Sequence, residues 1–360
     1  MLVSLFLLGA LGEAAPPPVA NRAFMMGFTP WPWDATQAAV EWTYEKIQDH
    51  GDVVSFHIEE GVPWSETLSG APFPAAMQQD LGSRLAKIRN GVPNILQVSA
   101  LDIGRAGLAL NRGANLNEPL PAPWRTLEFN HPSVKTAYAN YVERLVRQFH
   151  PAYVVIGVEA NLLMRNRKEK WASYVELTCA TYRALKARGI KQPLLVSIDV
   201  NPFFPEWSTP DTLGDQPNVL RDLDSCVDGF AISAHPFMSA LLADRLPADY
   251  FSRIFALSTR WVGIGESSYP AEVFSNSQLT WRGSEAKQTA FLDQMLDASN
   301  KQGLKFVIWF TVRDYDQLWS GLLRRDPVSL MWRDTGLYDE SGRPRSALGR
   351  WTSEFRRPLQ

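Results

Sequence analysis

Two glutamates each close an apolar run. Glu159 ends "YVVIGVE" and Glu266 ends "WVGIGE", a spacing of 266 − 159 = 107 residues. Burial penalises a carboxylate unless it is paired or used. Two carboxyls that face one another, one protonated and one ionised, can cleave a glycosidic bond. One acts as acid, the other as nucleophile or base; a gap of about 5–5.5 Å selects retention of configuration and a wider gap selects inversion. Gly157, Gly263 and Gly265 lie in the runs that lead to these glutamates and permit close approach of backbone or ligand. Either glutamate alone would fit a salt bridge as well; matched positions are what favour chemistry.

Short apolar segments alternate with longer amphipathic ones along the chain. Strands are predicted over 23–31, 52–59, 94–101, 153–159, 193–200, 227–235, 261–267 and 305–312. Helices are predicted over 34–51, 75–90, 131–150, 170–189, about 215–223, 248–258, 285–303 and 346–357. Asp34 reads as the N-cap of the first helix and Pro132 as a first-turn proline. Eight continuously apolar strands, each followed by a helix, predict a single α/β domain over residues 20–360, a (β/α)8 TIM barrel. An open doubly wound sheet would want a Gly-rich phosphate loop after its first strand, and "GFTPWPWD" is aromatic and rigid instead.

Chemistry in such a barrel sits at the C-terminal strand ends. Those ends present Thr29, Trp31, Trp33 and Asp34; then His57, Glu59 and Glu60; then Ser99 and Asp102; then Glu159 and Asn161. The remaining four present Asp199 and Asn201, Ser233 and His235, Glu266, and finally Trp309, Thr311, Arg313 and Asp314. Strands four and seven lie on opposite sides of a barrel mouth, so Glu159 and Glu266 can meet across a bound sugar. Trp31, Trp33, Trp64 and Trp309 are candidate stacking platforms, although each would serve equally well in the core. One of Glu59 and Glu60 faces the mouth, where it binds sugar hydroxyls, pairs with Arg105 or Arg313, or is solvated.

The formal net charge is −2, from 36 basic and 38 acidic residues, so no global field draws the chain to nucleic acid or an anionic membrane. Leu2–Leu11 suits the apolar region of a signal peptide over residues 1–16 and is too short to span a bilayer. A secreted or periplasmic monomer, off the membrane once the signal is removed, is the expectation. Cys179 and Cys226 have no metal-ligand spacing and read as two buried thiols, with a disulfide the alternative in an exported protein. Five histidines in no close cluster give no zinc motif, which weighs against a barrel hydrolase using His57, His235 and nearby acids as metal ligands.

With these residues in this order, the sequence resembles the clan of retaining (β/α)8 glycoside hydrolases. "DGFAISAHPFMS" and "GIGESSYP" are most similar to the endo-β-1,4-galactanase family. "IWFTVRDYD" resembles the clan's Trp-bearing eighth strand, and "TGLYDESGRPRSALGRW" its closing turn and helix. The resemblance implies a carbohydrate substrate, no metal or organic cofactor, Glu159 as acid/base and Glu266 as nucleophile. It puts His235 beside the nucleophile and Trp309 under the sugar. One position departs from the pattern. The clan carries Asn directly before the acid/base, where it bonds the sugar 2-hydroxyl, and this chain has Val158. Asn161, Asn201 or another strand end would have to substitute, or the sugar differs there. Otherwise activity is lost and a carbohydrate-binding barrel remains.

Overall fold

Eight short parallel strands close on themselves in the computed structural model, which describes residues 21–204, 206, 216–239, 242, 246–275 and 280–360. The predicted signal peptide and most of the loop 201–214 lie outside those residues. The strands are β1 (Met25–Phe28), β2 (Val53–Ile58), β3 (Asn94–Val98), β4 (Tyr153–Val155), β5 (Leu194–Asp199), β6 (Gly229–Ala234) and β7 (Trp261–Ser267). After a two-stranded hairpin, β8 (Val273–Ser275) and β9 (Thr280–Arg282), the barrel closes through β10 (Phe306–Trp309), which pairs with both β7 and β1. The chain therefore forms a single (β/α)8 TIM barrel, as its alternation of segments predicts.

The helices are α1 (Gln37–His50), α2 (Trp64–Ser69), α3 (Ala75–Ala86), α4 (Pro132–Phe149), α5 (Asn161–Asn166), α6 (Trp171–Ala187), α7 (Gln216–Leu223), α8 (Tyr250–Phe255), α9 (Glu285–Gln302), α10 (Asp316–Ser320) and α11 (Ser346–Phe355). Thr36, not Asp34, caps α1, its hydroxyl accepting from the Ala39 amide. Pro132 starts α4 as expected. No helix among the described residues is long and apolar enough to cross a membrane.

The barrel interior changes character from bottom to top. A dry layer of Val53, Ile95, Val155, Val158, Leu195, Ala231, Phe306 and Ile308 fills the lower part. Gly263 makes room for Phe306, because a Cβ there would stand 2.6 Å from its ring. Ser55, Gln97, Ser197 and Ser233 follow one step further along their strands, all buried. The next inward positions are His57, Asp199 and His235. Apolar packing thus supports a polar layer, which in turn supports an ionisable one, and the charged groups sit only where solvent begins.

Three further expectations about the fold need correction. The regular fourth strand stops at Val155: Ile156 and Gly157 still bond to β5, but residues 156–160 run in bends and a turn, and Glu159 adopts a left-handed φ of 47°. Cys179 and Cys226 are joined in a disulfide that ties α6 to the segment before β6, so they are not free thiols. Trp64 is fully buried, stacked on Trp124 with its indole N–H donating to the Ala109 carbonyl, and belongs to the core.

Gly157 illustrates how the backbone is steered to Glu159. A Cβ at this position would stand 2.3 Å from the Tyr174 hydroxyl oxygen of α6. Gly157→Ala is expected to destabilise the fold by about 1–3 kcal/mol through overpacking. Adding Tyr174→Phe, which removes the clashing oxygen, should recover most of that loss in denaturant unfolding. A double variant no more stable than Gly157→Ala alone would contradict this account.

Candidate active site

Glu159 reaches the barrel mouth because its amide is held by the Ser197 hydroxyl at 2.9 Å, while Ala160 N–H donates to the Ser197 carbonyl at 3.0 Å. Strand β5 thus fixes the turn that carries the glutamate. Glu266 is aimed differently. The β6–β7 register skips Gly265, so Ile232 pairs with Ile264 and Ser233 with Glu266. A bulge of this kind re-aims the side chain that follows it. One carboxylate oxygen each from Glu159 and Glu266, with a ring nitrogen of His235, all lie within 4.8 Å of one another. Both glutamate side chains are about one-fifth exposed, at 20% and 19%. They therefore face one another at the rim of the interior and are not sealed beneath it.

The two carboxyls sit in unequal surroundings. Burial raises Glu159 to about 7; Arg105 opposes the rise, and Asp199 and Glu266 add to it. Burial alone would raise Glu266 too, but His57 and His235 pull it below the ordinary carboxylate value. His235 Nε2 lies 3.8 Å from Glu266 and its Nδ1 shares a 2.8 Å hydrogen bond with the Ser268 hydroxyl, which orients the ring. Burial works against protonation of His57 and His235, yet the surrounding carboxylates, Glu266 foremost, raise both. Glu59 is held down at about 2 against burial by Arg105 and His57. One glutamate thus keeps a proton near neutrality while its neighbour stays ionised.

The remaining predicted residues divide. His57, Glu59, Asp199 and His235 stand with the two glutamates. Glu59 pairs with Arg105 at 2.6 Å, the second of its three options, and Glu60 instead pairs with Arg84 on α3. Trp31 borders the mouth, packed against Phe310 and Tyr315. Trp33 has the Arg313 guanidinium 3.9 Å from its ring centre, so a cation occupies that face. Asn161 is fully buried; its carboxamide donates to the Asp199 carbonyl and Gln216 and accepts from the Asp199 amide. Asn201 is likewise turned to protein, donating to the His235 carbonyl at 3.0 Å. Both brace the strand ends and contribute no side chain to the mouth. Trp309 is also displaced from its expected role. It is fully buried against Phe291 of α9 and donates to the Thr335 carbonyl at 3.0 Å. Alternation sends Trp309 outward to the helices, and Phe310 joins the aromatic cluster of Trp31, Tyr315 and Trp332. Trp332 contacts the His235 ring edge-on at 6.0 Å.

Two site residues escaped the sequence reading. Gln97 is a polar residue at an inward position of "NILQV"; its amide nitrogen is 2.8 Å from Ser55 Oγ, 2.6 Å from His57 Nε2 and 2.9 Å from the Gly265 carbonyl. Trp332 sits in a long connection whose course carries no sequence signature. Two trios of ligand-type side chains are compact enough for a metal ion among the described residues: Glu159, His235 and Glu266, and Glu272, Asp314 and Glu340. A guanidinium already lies against each set, Arg105 at 3.4 Å from Glu159 and Arg345 bonded to Glu272 and Asp314, so a divalent cation would meet a fixed positive charge.

No protein-family model matches the chain, and no curated protein sequence does. Solved structures do. An exo-β-1,4-mannosidase from an Opitutaceae bacterium superposes with a TM-score of 0.62 at 15% identity over 93% of this chain, which spans 60% of the mannosidase. A fungal β-1,4-galactanase gives a TM-score of 0.56 at 15% identity, covering 86% of this chain and 90% of that one. A GH5_18 protein of Bifidobacterium longum, in complex with Manβ1-4GlcNAc, gives 0.60 at 15% identity, covering 94% of this chain and 80% of that one. At this identity the likeness establishes the fold they share.

The raised proton affinity of Glu159 has a consequence for stability. Folded, the group keeps its proton up to about pH 7; unfolded, it releases it near the ordinary 4.5. Between these values the folded state holds the extra proton, so this group's contribution to stability falls as pH rises. Glu159→Gln should match the parent below about pH 4 and exceed it above about pH 8 by on the order of 2 kcal/mol. Thermal or urea unfolding of both proteins across that range reads the difference, and a gap that does not grow with pH would count against the assignment.

Proposed function

We propose that this chain is a retaining glycoside hydrolase acting on a β-linked oligo- or polysaccharide. The observation that carries the reading is the 4.8 Å limit on the Glu159–Glu266 oxygen separation, close to the spacing of retaining enzymes and too short to admit a water between the carboxyls as inversion requires. In this reading ionised Glu266 attacks the anomeric carbon while protonated Glu159 donates to the leaving oxygen. Glu159, now ionised, then takes a proton from the water that releases the sugar. The unequal surroundings of the two groups suit these opposite roles. His235 orients Glu266, and Trp31, Phe310 and Trp332 offer apolar surface to a sugar ring. The mannosidase and galactanase likenesses support β-linked substrates of this general class. The Cys179–Cys226 disulfide supports an oxidising compartment and thus export.

A second reading, a carbohydrate-binding barrel with impaired turnover, has its own support. Val158 is packed into the dry layer of the barrel, and Asn161 and Asn201 are turned to the protein, so none of the asparagines considered for the sugar 2-hydroxyl faces the mouth. Aryl β-glycosides and β-mannans, β-galactans and β-glucans discriminate between the two. Hydrolysis is expected to follow a bell-shaped pH profile with its alkaline limb near 7 and its acid limb below the ordinary carboxylate value. Glu266→Gln should reduce kcat by roughly 10⁴-fold or more and Glu159→Gln by less on substrates with good leaving groups. The first product seen by NMR should retain its anomeric configuration. Saturable binding of a saccharide without turnover would establish the second reading, and an inverted product would overturn the first.

A further inference from the structure

The proposed acid/base is gripped from the side by a cation that a third carboxylate restrains. Arg105, 7% exposed at its side chain, sends a two-pronged contact to Glu59, Nη1 to Oε1 at 2.6 Å and Nη2 to Oε2 at 3.3 Å. The same Nη2 reaches Glu159 Oε2 at 3.4 Å. Arg105 and Glu159 both hold left-handed backbone angles, φ 50° and 47°, where few non-glycine residues settle without surrounding restraint. The restraint is visible on both sides. The Arg105 amide donates to the Asp102 carbonyl, and Asn166, at the end of the helix that follows Glu159, donates to the carbonyls of Gly104 and Arg105. The Ser197 hydroxyl fixes the Glu159 amide.

The contacts continue past Glu59. Its Oε2 lies 3.7 Å from His57 Nδ1, the opposite ring nitrogen lies 2.6 Å from Gln97, and Gln97 lies 2.9 Å from the carbonyl of Gly265, the residue before Glu266. A single chain of side chains therefore runs from Glu159 to the strand that presents Glu266.

We infer that Arg105 is a positioning residue for Glu159, and that Glu59, by holding the guanidinium two-pronged on its far side, limits how closely it binds Glu159. The inference rests on the reading of Glu159 as acid/base and names what tunes it. A guanidinium free to close on Glu159 would favour the anion and impair proton donation. One that was absent would leave the anion unstabilised when Glu159 must act as base. Shared between two carboxylates, Arg105 serves both half-reactions. Other charges also face Glu159: Glu59 and His57 at the end of β2, Asp199 at the end of β5, His235 beyond β6 and Glu266 on β7, with Arg165 of α5 acting on Asp199.

Two variants should move the titration of Glu159 in opposite directions, which a purely structural role would not do. The full-length protein labelled with ¹³C at glutamate carboxyls is titrated by NMR, Glu159→Gln identifying the resonance. Arg105→Met should raise the Glu159 midpoint, and Glu59→Gln should lower it, each by about one pH unit, a tenfold change in proton affinity. Arg105→Lys, which keeps the charge without the fork, should fall between the parent and Arg105→Met and remains readable if Arg105→Met does not fold. Midpoints that stay within experimental error of the parent, or that shift the same way in Arg105→Met (or Arg105→Lys) and Glu59→Gln, would overturn the inference. The readout needs no substrate, so its failure is distinct from failure of the hydrolase reading, which shows as absent turnover with these shifts intact. Where turnover is measured, the alkaline limb of kcat/KM should move with the midpoint.

Discussion

Two carboxyl groups within 4.8 Å of one another in a mouth that is mostly protein cannot both be comfortably ionised. Everything else in the upper barrel answers that constraint. Positive charge is placed unevenly: His57 and His235 bear on Glu266, and Arg105 bears on Glu159 only through a guanidinium already bound to Glu59. Glu266 is left ionised and Glu159 is left holding a proton to about pH 7. Identical side chains thereby acquire opposite chemistry from where their neighbours stand, an asymmetry that proton transfer between acid and base requires.

The fold makes that arrangement possible through its layering. The apolar floor that contains Val158 and Phe306 gives the barrel its rigidity, and the serines and Gln97 above it supply hydrogen bonds to parts of the backbone carrying ionisable groups. Each glutamate is delivered by a local irregularity: Glu159 by a left-handed turn after a three-residue strand, Glu266 by a bulge at Gly265. Regular β-alternation could not have turned both residues to the same point. Glycines lie just before both, Gly157 under Tyr174 and Gly265 against Gln97, where a neighbouring side chain approaches the backbone.

Most of the architecture was legible in the sequence because apolar strands and amphipathic helices alternate eight times along the chain. The two glutamates stand out in the sequence because each closes an apolar run, although the β4 ladder stops at Val155 and Glu159 follows it in a turn. What was not legible depends on which way single side chains turn. Trp309 and Phe310 are adjacent and aromatic, and one residue of phase decides which packs against α9 and which joins Trp31. Asn161 and Asn201 carry groups suited to sugar hydroxyls, yet backbone carbonyls at the strand ends claim them. Arg105 was one of the partners offered for the acidic pair at the second strand, but its second contact, to Glu159 at 54 positions' remove, has no mark in the local sequence. Likewise the bond between Cys179 and Cys226 depends on how α6 lies against the start of β6.

The central claim is that Glu266 forms a covalent bond to a sugar while Glu159 manages the proton. Incubation with 2-deoxy-2-fluoro-β-glycosyl fluorides of the manno, galacto and gluco series, followed by intact-mass measurement and peptide mapping, tests it most directly. The account predicts a single glycosyl adduct carried by Glu266. An adduct on any other carboxylate, or a structure with one of these sugars seated in the mouth and unbonded to Glu266, would contradict it.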